Sequence, residues 1–202
     1  MMKAHQQQPQ LFRRSMSLKL DGPSSILHLD CNKQNNMVAV GGRAIFKIFS
    51  IRDDEASGGG NGGGSSAGFY EYINMRGNKS VNLNFSCNDV VWSHLEPSML
   101  ATAATNGAIV IWNLMSKTAK QRQLHIFHEH SRMVNKVNFH PVERNVLVSG
   151  SQDGTMRLFD IRMEDAVAKM QSGKESVRDV QWNQHFANQV LRQAFYRHFF
   201  FK

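Results

Sequence analysis

His130, Ser149, Ser151 and Asp153 crowd one stretch of the chain, and a histidine, a serine and an aspartate are the side chains that together activate a hydroxyl nucleophile. Catalysis of that kind needs the serine exposed on a strained turn with oxyanion donors beside it. The G-x-S-x-G elbow that provides such a turn is absent. Structural use of these side chains is therefore expected, and no catalytic residue is assigned.

His125, His128 and His130, with Glu129 among them, carry donors that a metal could use. On an extended strand His128 and His130 share one face while His125 points away, and no paired cysteine or second cluster completes a ligand set. No metal and no cofactor is expected. Gly41-Gly42-Arg43 and the glycine tract at 58–64 lack the G-K-[ST] ending or the G-x-G-x-x-G context that lets backbone amides cradle phosphate, so they read as turn and linker. Cys31 and Cys87 lie in apolar segments. Two thiols cannot staple a domain of this size, and they read as buried free thiols in a reducing compartment.

The elements that must position these residues belong to a chain of 202 residues, 41% hydrophobic and 20% charged, which is a globular composition. No apolar run approaches the roughly 18 residues of a bilayer span. The formal charge of +8 raises the question of nucleic acid. Its distribution argues against that partner: Lys3, Arg13, Arg14 and Lys19 stand without acids at one end, Arg192, Arg197 and Lys202 at the other, and the middle is close to neutral. Residues 1–20, polar and glutamine-rich, are expected to form a disordered basic tail. They show no charged flank feeding an apolar core, so no secretory signal is expected. Residues 57–68, SGGGNGGGSSAG, read as a flexible loop inserted between ordered elements.

What remains is a set of short strand-like runs that repeat. Residues 87–113 align without a gap on residues 134–160, a period of 47 that sets Val90 on Val137, Trp92 on Phe139, Leu100 on Leu147, Asn106-Gly107 on Asp153-Gly154 and Trp112-Asn113 on Phe159-Asp160. An earlier copy reads through residues 26–49, and a fourth begins at residues 176–182. Each copy has an alternating strand, a small-residue strand (LATAAT, LVSGSQ), a tight turn and a β-branched or aromatic strand (AIVIWN, TMRLFD). Asn106-Gly107 and Asp153-Gly154 suit type I′ turns, with positive φ at both central positions. Ala103, Ala104, Ser149 and Gly150 fit where neighbouring sheets approach closely.

His130 before the strand, Asp153 in the turn and Phe159-Asp160 at the strand end resemble the WD-repeat family, whose blades build β-propellers. The resemblance implies a buried hydrogen-bonded network of His130, Ser149 or Ser151, and Asp153, to which Phe159 cannot supply the indole donor. A hydrogen bond to a charged group contributes on the order of 1.5–3 kcal/mol, and removing one partner costs more because the other is left unpaired. The segments GGRAIFKIF, NLNFSCNDVVWSHLEPSMLATAATNGAIVIWNL, HEHSRMVNKVNFHPVERNVLVSGSQDGTMRLFDIR and ESVRDVQW are similar, more narrowly, to the N-terminal propeller of the WD repeat-containing protein 24 family, subunits of the second GATOR complex, called SEA in yeast. The resemblance implies an all-β fold: an incomplete WD-repeat propeller of about three blades plus part of a fourth over residues 21–185, followed by a non-propeller tail at 186–202. That tail, which includes QVLRQAFYRHFFFK, shows neither strand pattern nor turn and reads as helical or unstructured.

The implied function is a non-catalytic scaffold promoting TOR signalling in response to amino acids. Its implied partners are other GATOR subunits, and its implied location is the cytoplasm, peripherally at the lysosomal surface. Propellers bind through rim loops, so Arg132, Met133, Ser176 and Arg178 are the expected partner-facing residues. A generic WD-repeat adaptor, either a ubiquitin-ligase substrate receptor or an RNA-processing scaffold, is the alternative reading, and a basic top face would distinguish it. An enzyme would need a convergent acid, base and nucleophile that the sequence does not offer.

Overall fold

The computed structural model describes residues 26–53, 67–76, 86–171, 174–183, 185–194 and 197–201. The tail expected at 1–20 and most of the glycine-rich loop lie outside the described residues, although Ala67 and Gly68, read as the loop's end, open a strand. Four antiparallel meanders follow one another along the chain. The first is β1 (Ile26–Cys31), β2 (Met37–Gly42), β3 (Phe46–Asp53) and β4 (Ala67–Asn74). The second is β5 (Cys87–Trp92), β6 (Met99–Ala104), β7 (Ile109–Asn113) and β8 (Gln123–Phe127), with a single helical turn, α1 (Ala119–Arg122), capped by the Thr118 hydroxyl before β8. The third is β9 (Val134–Phe139), β10 (Val146–Ser151), β11 (Thr155–Asp160) and β12 (Ala168–Gln171), and the fourth is β13 (Asp179–Trp182), β14 (Val190–Ala194) and β15 (Arg197–Phe201). No helix among the described residues is long and apolar enough to cross a membrane.

The first strands β1, β5, β9 and β13 lean on one another in sequence, and β5, β9 and β13 each also meet the second strand of the sheet before. This is an arc of a β-propeller. The small residues of the second strands explain the closeness. A Cβ on Gly150 would stand 2.6 Å from Val177 Cγ1 and 2.9 Å from Val180 Cγ1, and one on Gly41 would stand 2.6 Å from Cys87 Sγ. Three of the cores therefore lie between sheets, while a fourth, of Val38, Val40, Ile45 and Phe49, lies within the first. Phe46 and Ile48 of the first sheet pack on Trp92 and Trp112 of the second. Ala103 and Phe127 pack on Val137 and Phe159 of the third, and Val148 and Met156 pack on Val180 and Trp182 of the fourth. Each fully buried large apolar side chain contributes roughly 1.5–3 kcal/mol.

Two sequence expectations are corrected. The run near the C-terminus is neither helical nor unstructured, because β14 and β15 pair antiparallel and extend the fourth sheet to three strands. The tight turns are not type I′ either. Gly107 and Gly154 have φ of 90° and 80°, but Asn106 and Asp153 do not reach positive φ. Gly107 N donates to Ala104 O and Gly154 N to Ser151 O, which makes each loop three residues long, a turn closed by a left-handed glycine. Asn106 and Asp153 act through their side chains, whose Oδ1 atoms accept from Ala108 N and Thr155 N two residues on.

Candidate functional site

The turn at Asp153 sits over the connection that carries His130 into the third sheet. His130 Nδ1 lies 2.9 Å from Asp153 Oδ2 and its Nε2 lies 2.6 Å from Ser149 Oγ. Asp153 also accepts from Thr155 Oγ1, Thr155 N and Ser131 N. The carboxylate can only accept, so His130 donates from Nδ1; with the ring neutral, the Ser149 hydroxyl donates to Nε2. Burial lowers the pKa of His130 against the opposing pull of Asp153. For Asp153, burial pushes the pKa up, but hydrogen bonds from Thr155 and His130 outweigh it and hold the carboxyl at about 2.

The connectivity is that of a proton relay, yet the Ser149 side chain and the His130 ring are sealed from solvent. A nucleophile must meet its substrate, so this burial suits a structural role. Ser151 stands apart from the relay: its hydroxyl donates to Met133 O and accepts from Asp153 N. Thr155, which sequence reasoning missed, closes the network beside Asp153.

The second sheet holds the complementary half of this arrangement. Trp112 Nε1 donates to Thr102 Oγ1 at 2.9 Å, at the repeat positions where the third sheet has Phe159 and Ser149. Trp112→Phe should leave the buried Thr102 hydroxyl without that donor and lower the unfolding free energy by about 1–3 kcal/mol, read from urea denaturation of the full chain.

A second cluster, on the first strands, was not anticipated. His28, Asp89, Lys136 and Asp179 each stand three residues before the strand's last residue, at one register position opposite Gly41, Ala103, Gly150 and Gln193. The Asp89 carboxylate is fully buried. It lies 2.8 Å from His28 Nδ1 and 3.2 Å from Lys136 Nζ, and accepts from Val137 N at 2.9 Å. Lys136 Nζ also comes within 3.4 Å of His28 Nε2, so side chains from three successive sheets meet. Asp179 Oδ1 is buried with no hydrogen-bond partner among the described residues. The sequence signal was a single acid inside the apolar run CNDVVW.

Buried His130 and part-exposed His28 answer pH in opposite directions. The hydrogen bond to Asp89 raises the pKa of His28 above 6.5. What it adds to stability is therefore full below pH 6.5 and is lost as pH rises through the higher folded value. His130 is lowered below 6.5, so its contribution is full above pH 6.5 and is lost as pH falls through the folded value. Melting temperatures of the full chain taken from about pH 6 to about pH 8 should carry an alkaline decline that His28→Gln removes. An unchanged slope in that variant would refute the assignment.

The expected partner-facing residues divide. Arg132 is exposed on the connection before β9, whereas Met133 is half-buried and its carbonyl accepts from Ser151 Oγ and Gln152 N. Ser176 is half-buried and accepts from Asn135 Nδ2, and Arg178 is exposed beside it. The network end of the arc thus presents two arginines, while Met133 and Ser176 hold loops in place. Asn88 and Asn135, one repeat apart, bridge successive sheets: Asn88 Nδ2 donates to Val134 O and Asn135 Nδ2 to Val177 O. Both thiols are free, and burial pushes Cys87 up to about 12, so it stays protonated.

Comparison with known proteins follows this geometry. Residues 121–160, which hold the His130 network, match the family described as WD domain, G-beta repeat. GATOR2 complex protein WDR24 of Danio rerio is 45% identical over 84% of this chain. The chain belongs to the WDR24 family. The Drosophila melanogaster member is 44% identical over 85% of the chain and the Homo sapiens member 43% identical over 84%. The chain covers about a fifth, 20%, of the length of each of these relatives. Within the WDR24 family, then, the four sheets correspond to one portion of a longer protein.

Proposed function

We propose that this chain is a non-catalytic interaction module, the propeller arc of a WDR24-type scaffold that assembles with other GATOR2 subunits. The observation that carries the reading is identity of 45% over 84% of the chain to a protein named as a GATOR2 complex protein. The sealed Ser149–His130–Asp153 relay supports it, since those side chains serve packing instead of presenting a reactive hydroxyl. Arg132 and Arg178 offer cationic contacts at one rim. On this reading the module serves amino-acid signalling to the first TOR complex and is recruited to the lysosomal surface through its partners.

Affinity capture of the tagged full chain from cells tests the proposal. Recovery of other propeller-bearing GATOR2 subunits, reduced when Arg132 and Arg178 are both replaced by glutamate, is the expected result. Capture that returns none of those subunits would overturn it. Hydrolase activity abolished by Ser149→Ala would instead revive the nucleophilic reading.

A further inference from the structure

Charge is spread unevenly between the two ends of the arc. The connections at the network end carry exposed Arg43, Arg132, Lys174 and Arg178, and among their described residues Glu175 is the single exposed acid. Glu129 is half-buried against Arg157, and Asp153 is spent on His130 and Thr155. The opposite end mixes exposed Lys33, Lys117 and Arg144 with exposed Glu143, Glu164 and Asp165. Arg144, Arg157 and Arg162 each lie against a carboxylate, whereas Arg43 and Arg132 pair with none among the described residues.

These arginines stand on backbone that is tied down. Ser86 Oγ, in the connection into the second sheet, donates to Arg43 O of the first, and Ser86 is itself bonded to Thr105. Arg132 O accepts from Ser151 Oγ, and the Gly107 turn lies directly against it. Arg178 follows Val177, a fully buried residue whose N donates to Ser151 O and whose O accepts from Asn135 Nδ2. Successive connections thus hold Arg43, Arg132 and Arg178 at fixed backbone sites around the arc, and order present beforehand lowers the entropy that binding costs.

We infer that this rim binds an extended acidic segment of a partner protein, whose carboxylates meet Arg43, Arg132 and Arg178 in turn. A guanidinium matches a carboxylate in shape as well as charge, since two N–H donors of one fork reach both oxygens of one acid. Nucleic acid fits less well. No exposed aromatic or other large apolar side chain lies on these connections among the described residues to stack a base, and the opposite end balances the positive charge instead of extending it. The inference rests on the reading of this chain as an interaction module and adds the chemistry of what the module takes.

Fluorescence anisotropy of the purified full chain with a labelled, alternating glutamate–serine peptide of about twelve residues is the test, so its failure and a failure to capture GATOR2 subunits are separate results. Binding should weaken as salt rises from about 50 to about 200 mM. Arg43→Glu with Arg132→Glu should raise the dissociation constant by about tenfold or more. Lys33→Glu with Lys117→Glu changes the net charge equally at the opposite end and should move it by less than about twofold. Should the arginine pair lose its strand circular dichroism, Arg43→Gln with Arg132→Gln takes its place, with an expected weakening of about threefold or more. No binding at about 1 mM chain overturns the inference. So does binding that both reversed pairs weaken alike, or that a glutamine–serine peptide matches. Tighter binding of a single-stranded oligouridylate of the same length overturns it equally, in favour of nucleic acid.

Discussion

Replacing Asp89 with alanine is expected to lower the unfolding free energy by about 3–5 kcal/mol, the usual cost of removing one member of a buried ion pair. The carboxylate has no access to water, accepts from Lys136 Nζ and Val137 N, and stands 2.8 Å from His28 Nδ1. Lys136 Nζ and His28 Nδ1 lose their counter-charge, and Val137 N, at the heart of the third sheet's first strand, loses its acceptor. The damage crosses two seams, because the partners belong to the first and third sheets while Asp89 belongs to the second. Asp160→Ala is the control. It removes an exposed pair with Arg162 at the end of β11 and should change little, as surface pairs do. Guanidinium denaturation of both variants decides the matter: a loss under about 1 kcal/mol for Asp89→Ala would mean that water reaches the cluster.

Gly107→Ala should cost about 2–5 kcal/mol, the sum of backbone strain and a steric collision. Gly107 closes the loop between β6 and β7 with φ of 90°, a conformation that alanine adopts poorly. A Cβ there would meet His130 O at 2.3 Å and Arg132 O at 3.1 Å. Both obstacles are backbone atoms of the connection that delivers His130 to its network, so relief requires moving that connection. Two effects are expected together: a lower urea midpoint, and faster hydrogen exchange of the amides around Ser131 and Thr155. A variant that melts like the parent would show that the turn yields without disturbing its neighbour.

Much of the fold was legible because the repeat is written in side-chain types. The period of 47 aligns β5 with β9 and β6 with β10 residue for residue, and the small residues Ala103 and Gly150 mark where the next sheet leans in, whereas Gly41, read as part of a turn, lies in β2 and plays the same part. The turn geometry was misread for a local reason. Asn-Gly and Asp-Gly suit a two-residue hairpin, but Thr105 and Gln152 join these loops, and the carboxamide and carboxylate fold onto the following amide instead. The strands β14 and β15 were missed because Phe195 and Tyr196, the residues between them, are aromatic and signal no turn.

Of the site, the network of His130, Ser149 or Ser151 and Asp153 lay within one copy and came from the resemblance to WD repeats; the structure places Ser149 on His130. The Asp89 cluster was not foreseen, since its members sit in three copies and meet only through the stacking of sheets. Exposure decided the loop residues: Arg132 and Ser176 look equally available in the sequence, yet Ser176 is spent on Asn135.

The asparagines of the first strands set a direction. Asn88 grips the entrance of the third sheet and Asn135 the entrance of the fourth, so each latch is carried by the earlier-made sheet and its catch by the later one. Each latch joins residues forty-odd positions apart, so it can close only once the later sheet's first segment has been made.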